Sequence, residues 1–217
     1  MRTIATLILI TIFFSCADNN SPRNENKSLE NYTIIKENKN PSLRKTNIEI
    51  RIEKEISEND LEQIAKSLKK ERKEYDNLWI FYYLPDNEIG EGAWATTHFS
   101  PDLEVIILGA TEDASKEMEE RKVTGEIIGA WKDNDAMMPS KIYLVKENGK
   151  LYIKTVRAKS KYSEAVELVE EVRKSGKNGK VRYDYDNKHG EYYLIEKNGN
   201  LGLYDELGKF KEAIKLN

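Results

Sequence analysis

The residues of this 217-residue chain that could do chemistry are two histidines, one cysteine and a few closely spaced aspartates. His98 lies in Ala93–Phe99, beside Thr96 and Thr97. A nucleophile–base pair needs a hydroxyl within hydrogen-bond reach of its base. In an extended segment Thr97 and His98 point to opposite faces, and only Thr96 shares a face with His98. A hydrolase built on His98 would also need a carboxylate, such as Glu91 or Asp102, converging in one cleft. His189 stands far away in sequence, and neither histidine has His-Glu-x-x-His spacing. Asp133 with Asp135, and Asp184 with Asp186, could offer oxygens to calcium. Counted from Asp184, however, the EF-hand positions five and twelve are Lys188 and Ile195, which cannot serve. Gly90-Glu91-Gly92 lacks the third glycine and the helix of a dinucleotide loop. The expectation is therefore no catalytic residue, no metal site and no cofactor. The aromatic residues Trp79, Tyr83, Trp94 and Trp131, together with His98, are the candidate binding surface, because large amphipathic rings dominate contact energetics.

The elements that must position these residues fall into two modules. Residues 47–110 form the first. Ile48, Ile50 and Ile52 alternate with charged residues, the period of a half-buried strand. Ser57 with Asp60 is a capping-box variant, and Leu61, Ile64, Ala65 and Leu68 make one apolar stripe, so a helix runs from Glu58 to about Tyr75. Leu78–Leu84 is a continuous aromatic and β-branched run, which predicts a buried strand. Ala93–Phe99 and Leu103–Leu108 are the next two strands, and Pro85–Gly92 is a loop. The module reads β-α-β-β-β, one helix on an antiparallel sheet. Taken with an all-β C-terminal part, it makes the expected fold class α+β.

Residues 111–124 read as a connector or short helix, and residues 125–217 as an all-β meander. Ile142–Val145, Leu151–Val156, Val181–Tyr185, Tyr192–Ile195, Leu201–Tyr204 and Phe210–Leu216 are short strands. Asn148-Gly149 and Asn198-Gly199 are strong hairpin signals. The segment 163–175 fits helical and strand periods, and a strand at Val166–Val169 is favoured by its hairpin neighbours. A meander of about seven strands must cover or close its edges, and a small barrel is one solution.

Thr3–Phe14 is the one long apolar run, preceded by Arg2 and succeeded by Ser15-Cys16. About 12 residues of helix span roughly 18 Å, too little for a hydrocarbon core of about 30 Å. A positive start, a short apolar stretch and a small residue before the cut are the marks of an export signal. The pattern resembles a bacterial lipoprotein signal, although Phe13 stands where that family usually has Leu. The resemblance implies removal of residues 1–15, acylation of Cys16 and anchoring in the bilayer, with Ala17 favouring the outer membrane. Residues 16–46 are rich in Asn, Lys, Glu and Ser, and read as a flexible tether that buries too little to order itself.

Two further resemblances concern the folded part. Phe81-Tyr-Tyr-Leu-Pro85, Gly92-Ala-Trp-Ala-Thr-Thr-His-Phe99 and Pro101-Asp-Leu-Glu-Val105 resemble a motif of uncharacterised bacterial lipoproteins, which implies no activity. Gly129-Ala130-Trp131 is similar to the Gly-x-Trp of lipocalin-like barrels. There the Trp plugs one end and a basic residue of the last strand packs on it, a place Lys211 or Lys215 could take.

Loss of Met1–Ser15 removes Arg2 and leaves 34 basic against 38 acidic residues, net −4. That balance gives no electrostatic case for nucleic-acid binding. With Cys16 acylated no thiol remains for disulfides or cysteine catalysis. The expected function is a non-enzymatic envelope lipoprotein that binds an envelope protein or a small apolar ligand. An envelope hydrolase using His98 and a purely structural lipoprotein are the alternatives.

Overall fold

The computed structural model describes residues 32–177 and 180–216. The expected export signal, Cys16 and the rest of the expected tether up to residue 31 lie outside the described residues.

Thirteen strands and only two α-helices make up the described chain, so it is mostly β and not the expected α+β. The first unit is a five-stranded sheet: β1 (Tyr32–Asn40), β2 (Lys45–Ile52), β3 (Asn77–Tyr83), β4 (Ala95–Phe99) and β5 (Leu103–Ile107), in that spatial order. Between β2 and β3 runs α1 (Glu58–Lys70). Ser57 caps it by accepting the Asp60 N–H, and Asp60 reaches back to the Ser57 N–H, closing the capping box. The helix ends at Lys70, within one turn of Leu68 and short of the expected Tyr75. Its stripe, Leu61, Ile64, Ala65 and Leu68, packs on Ile48, Ile50, Ile52, Leu78, Ile80 and Tyr82, all buried.

Two expectations about this unit are corrected. The sheet is mixed, not antiparallel, because α1 is a crossover that returns the chain alongside β2, and β2 and β3 pair in parallel. Residues 32–46 are not flexible tether. They form β1, a turn and the start of β2, with β1 antiparallel to β2. This edge strand is exposed along most of its length, so composition alone reads it as tether. Backbone pairing holds it, together with Arg72, whose Nε lies 2.9 Å from Glu37 Oε1.

The second unit is a closed barrel. Its strands are β6 (Glu126–Asp133), β7 (Ser140–Glu147), β8 (Lys150–Arg157), β9 (Val166–Lys177), β10 (Lys180–Asp184), β11 (Tyr192–Ile195), β12 (Leu201–Asp205) and β13 (Gly208–Lys215). Each is antiparallel to the next, and β13 closes on β6 through Ile214↔Lys132 and Lys215↔Trp131. Within 163–175 the chain is strand from Val166 on, as favoured, and β9 runs past Val169 to Lys177. The eighth strand, absent from the expected seven, is β6. The connector contains α2 (Glu112–Glu120), and Met118 from α2 packs on Tyr143, Val145 and Val156 outside the barrel wall.

The Asp86–Asn87 loop joins the units. Asn87 Nδ2 donates to the Asn134 carbonyl at 2.9 Å, and Asn134 Nδ2 to Asp86 Oδ2 at 3.1 Å. Gly109 lies so close to the β6–β7 loop that a Cβ there would sit 2.1 Å from the Ala136 carbonyl oxygen.

A candidate ligand site in the barrel mouth

Period-two alternation sorts each barrel strand into inward and outward residues. Trp131, Ile142, Leu144, Ile153, Val172, Tyr183, Tyr193, Leu201 and Ala213 form the buried interior. Trp131 closes one end. Its Nε1–H donates to the Gly199 carbonyl at 2.8 Å, in the β11–β12 turn. Its ring lies against Gly129, where a Cβ would come within 2.5 Å of Cη2. Of the two lysines, Lys215 is the ladder partner of Trp131. Lys211 turns to the other end, 2.8 Å from Asp133 and 2.9 Å from Asp135.

That other end, the mouth, holds a cavity of about 260 Å³. Ile142, Leu168, Leu203 and Phe210 supply apolar wall. The polar residues of the cavity include the charged Asp133, Arg157, Glu170, Glu191 and Lys211 and the phenols of Tyr185 and Tyr193. Tyr193 donates to Glu170 Oε2 at 2.6 Å, Tyr185 donates to Glu191, and the two rings sit 5.4 Å apart. Burial and then these carboxylates push both phenol pKa values well above the ordinary tyrosine value. Nε of Arg157 is buried and meets no acceptor among the described residues. Burial raises the pKa of Asp133, against the pull of Lys211. Asp135 moves the other way: burial opposes, but Lys211 and the N–H groups of Met137 and Met138 outweigh it. The two aspartates thus shape a turn and hold a lysine.

No protein-family model, curated protein or solved structure matches this chain.

The five residues expected to form one binding surface are dispersed. Trp79 and His98 meet on the sheet face away from α1, their rings stacked 4.7 Å apart, with Lys45 Nζ 3.8 Å from the Trp79 ring centre. Tyr83 shares the strand face of Trp79 but is buried. Trp94 belongs to the core, 1% exposed, its Nε1–H donating to the Ala110 carbonyl. Trp131 is the barrel plug. His98 Nε2 is buried without a hydrogen-bond partner among the described residues. The acid facing it across the ladder is Glu104, and neither Glu91 nor Asp102 occupies that place. Burial lowers the His98 pKa, opposed by Glu104 and aided by Lys45. Among the described residues no group of three or more His, Cys, Asp or Glu is placed to hold a metal, and no helix is long and apolar enough to cross a membrane.

Two larger cavities lie where the units meet, about 370 Å³ over Trp94 and Met118 and about 530 Å³ beside Asp86, Glu88 and Glu91. The second shares Asp133 and Lys211 with the barrel mouth, so this ion pair stands between them. Sequence reading missed Arg157, Glu170 and Glu191. A signal existed for the first two: Arg157 continues the inward phase of Leu151, Ile153 and Thr155, and Glu170 sits between inward Leu168 and Val172. A charge in the apolar phase of a strand marks either a rim or a site.

Proposed function

We propose that this chain is an exported lipoprotein of the bacterial cell envelope that binds a small ligand in the open end of its barrel without transforming it. The observation that carries the binding reading is the 260 Å³ mouth cavity, which combines an apolar wall with convergent polar groups, one of them a buried arginine Nε lacking an acceptor among the described residues. Small-molecule sites also combine apolar wall with placed polar groups, although here the polar and charged residues outnumber the apolar ones. A closed barrel suits the task because its strands hold the lining rigidly and leave no sheet edge open. The resemblance of Met1–Cys16 to a lipoprotein signal supports export and acylation at Cys16, with the outer membrane as destination. The motif resemblance spanning Phe81–Val105 supports the same setting, and the Gly129-x-Trp131 resemblance to lipocalin-like barrels supports the barrel-binding reading.

A thermal-shift screen of the full chain against a small-molecule library tests the binding reading. A ligand at 100 times its Kd stabilises by about 2.7 kcal/mol, a readily measured shift. Hits are expected for the wild type and are expected to vanish in Leu168→Trp, which fills the mouth. Hits that survive that substitution place the site elsewhere and overturn the reading.

A further inference from the structure

We infer that the ligand of the barrel mouth is a small zwitterion, an amino acid or a dipeptide, with its carboxylate on Arg157 and its ammonium group between Glu170 and Glu191. This rests on the binding reading above and names the chemistry of the same site.

Of the charges that line the cavity, Asp133 is matched by Lys211. Arg157, Glu170 and Glu191 have no ionic partner among the described residues, although they share one wall system. Arg157 presents five N–H donors in a planar fork, and Nε has no acceptor among the described residues. Glu170 and Glu191 each accept one tyrosine hydroxyl and keep further lone pairs open. Arg157 does not pair with Glu170 because the ladder sets the two apart. Arg157 lies opposite Val166, and Glu170, four residues further along β9, lies opposite Ile153. That offset is roughly 13 Å along the strand between backbones, spanned in part by two long side chains.

Each simpler ligand leaves a cost behind. An apolar molecule covers both kinds of charge without pairing either, and burying unpaired charge is strongly unfavourable. An anion satisfies Arg157 and brings repulsion from two glutamates. A cation satisfies the glutamates and leaves the guanidinium bare. A molecule with both groups a few ångströms apart meets all of them. The carboxylate takes the bidentate arginine geometry. The ammonium gains the two carboxylates and the faces of Tyr185 and Tyr193, which attract cations. The 260 Å³ volume limits the occupant to a small molecule, and Leu168, Leu203 and Phe210 offer an apolar side chain a place.

The test is calorimetric titration of the full chain in detergent with matched probes: leucine, alanyl-alanine, N-acetyl-leucine, leucine amide and N-acetyl-leucine amide. Leucine or alanyl-alanine is expected to bind, and each leucine derivative with a masked charge to bind at least about tenfold more weakly than leucine or not at all. Arg157→Met is expected to abolish the advantage of leucine over leucine amide. Glu170→Gln, which keeps an acceptor for Tyr193, is expected to erode the advantage over N-acetyl-leucine. Equal binding of leucine and its masked forms overturns the zwitterion assignment, as does silence from leucine and alanyl-alanine up to about 10 mM. If library hits are still lost in Leu168→Trp, the mouth remains a ligand site and only the zwitterion fails. If no probe or library compound responds, both readings fall.

Discussion

His98 and Trp131 show how little a residue's type says about its role until its neighbours are fixed. The ring of His98 is stacked on Trp79 and partly desolvated, which favours the neutral imidazole. Its pKa in the fold lies below the ordinary value of about 6.5 that it regains on unfolding. The unfolded chain therefore binds more protons in the window between the two values, and stability rises with pH there. Stability is expected to fall as the solution is acidified below about pH 6.5, and His98→Gln to flatten that slope in denaturant titrations. Trp131 has a packing role. Trp131→Ala removes a buried ring and its hydrogen bond to Gly199, and is expected to cost about 3–5 kcal/mol. Gly129→Ala drives a methyl into the same ring, at about 1–3 kcal/mol. Urea melts of both variants check these values. A Gly129→Ala protein as stable as the wild type would mean that the ring is not held against the glycine.

At the level of elements, what the sequence makes legible is whatever local physics decides. The α1 capping box, the inward alternation of β2 and the Asn148-Gly149 turn appear as read, both turn residues having positive φ. Three features are invisible to local reasoning. β1 is held by its neighbour's backbone and by Arg72 acting across the fold, so its exposed side chains carry no strand signal. β6 begins with exposed Ile127 and Ile128 and then turns Gly129, Trp131 and Asp133 inward, which breaks the expected alternation. Barrel closure depends on Ile214 meeting Lys132, a contact between the ends of the unit. The site was hidden for the same reason. Only closure decides that Arg157, Glu170 and Glu191 face one cavity. The aromatic residues expected to form a surface stand out by size, and size draws Trp94 and Trp131 into cores.

In the whole molecule, a sheet unit and a barrel meet through a narrow and specific seam. The close approach of Gly109 to the Ala136 carbonyl leaves no room for a side chain. Gly109→Ala is expected to destabilise the junction by about 1–3 kcal/mol, with Trp94 fluorescence reporting the change because its ring also abuts Gly109. A wild-type melt and spectrum would show that the units are not so tightly joined. The proposed anchor makes a separate prediction. Cys16→Ser is expected to move the protein from membrane to soluble fractions with both units intact, since stable anchoring depends on the acyl chains. Wild-type levels in the membrane pellet would contradict it.

The central claim is that the barrel mouth is a ligand site, and amide NMR mapping of bound compounds tests it most directly. Shifts are predicted at Thr155, Arg157, Leu168, Glu170 and Tyr193, with none at Trp79 or His98 and none in Leu168→Trp. Shifts confined to the Trp79–His98 face or to the seam around Trp94, with the mouth residues silent, would contradict the account.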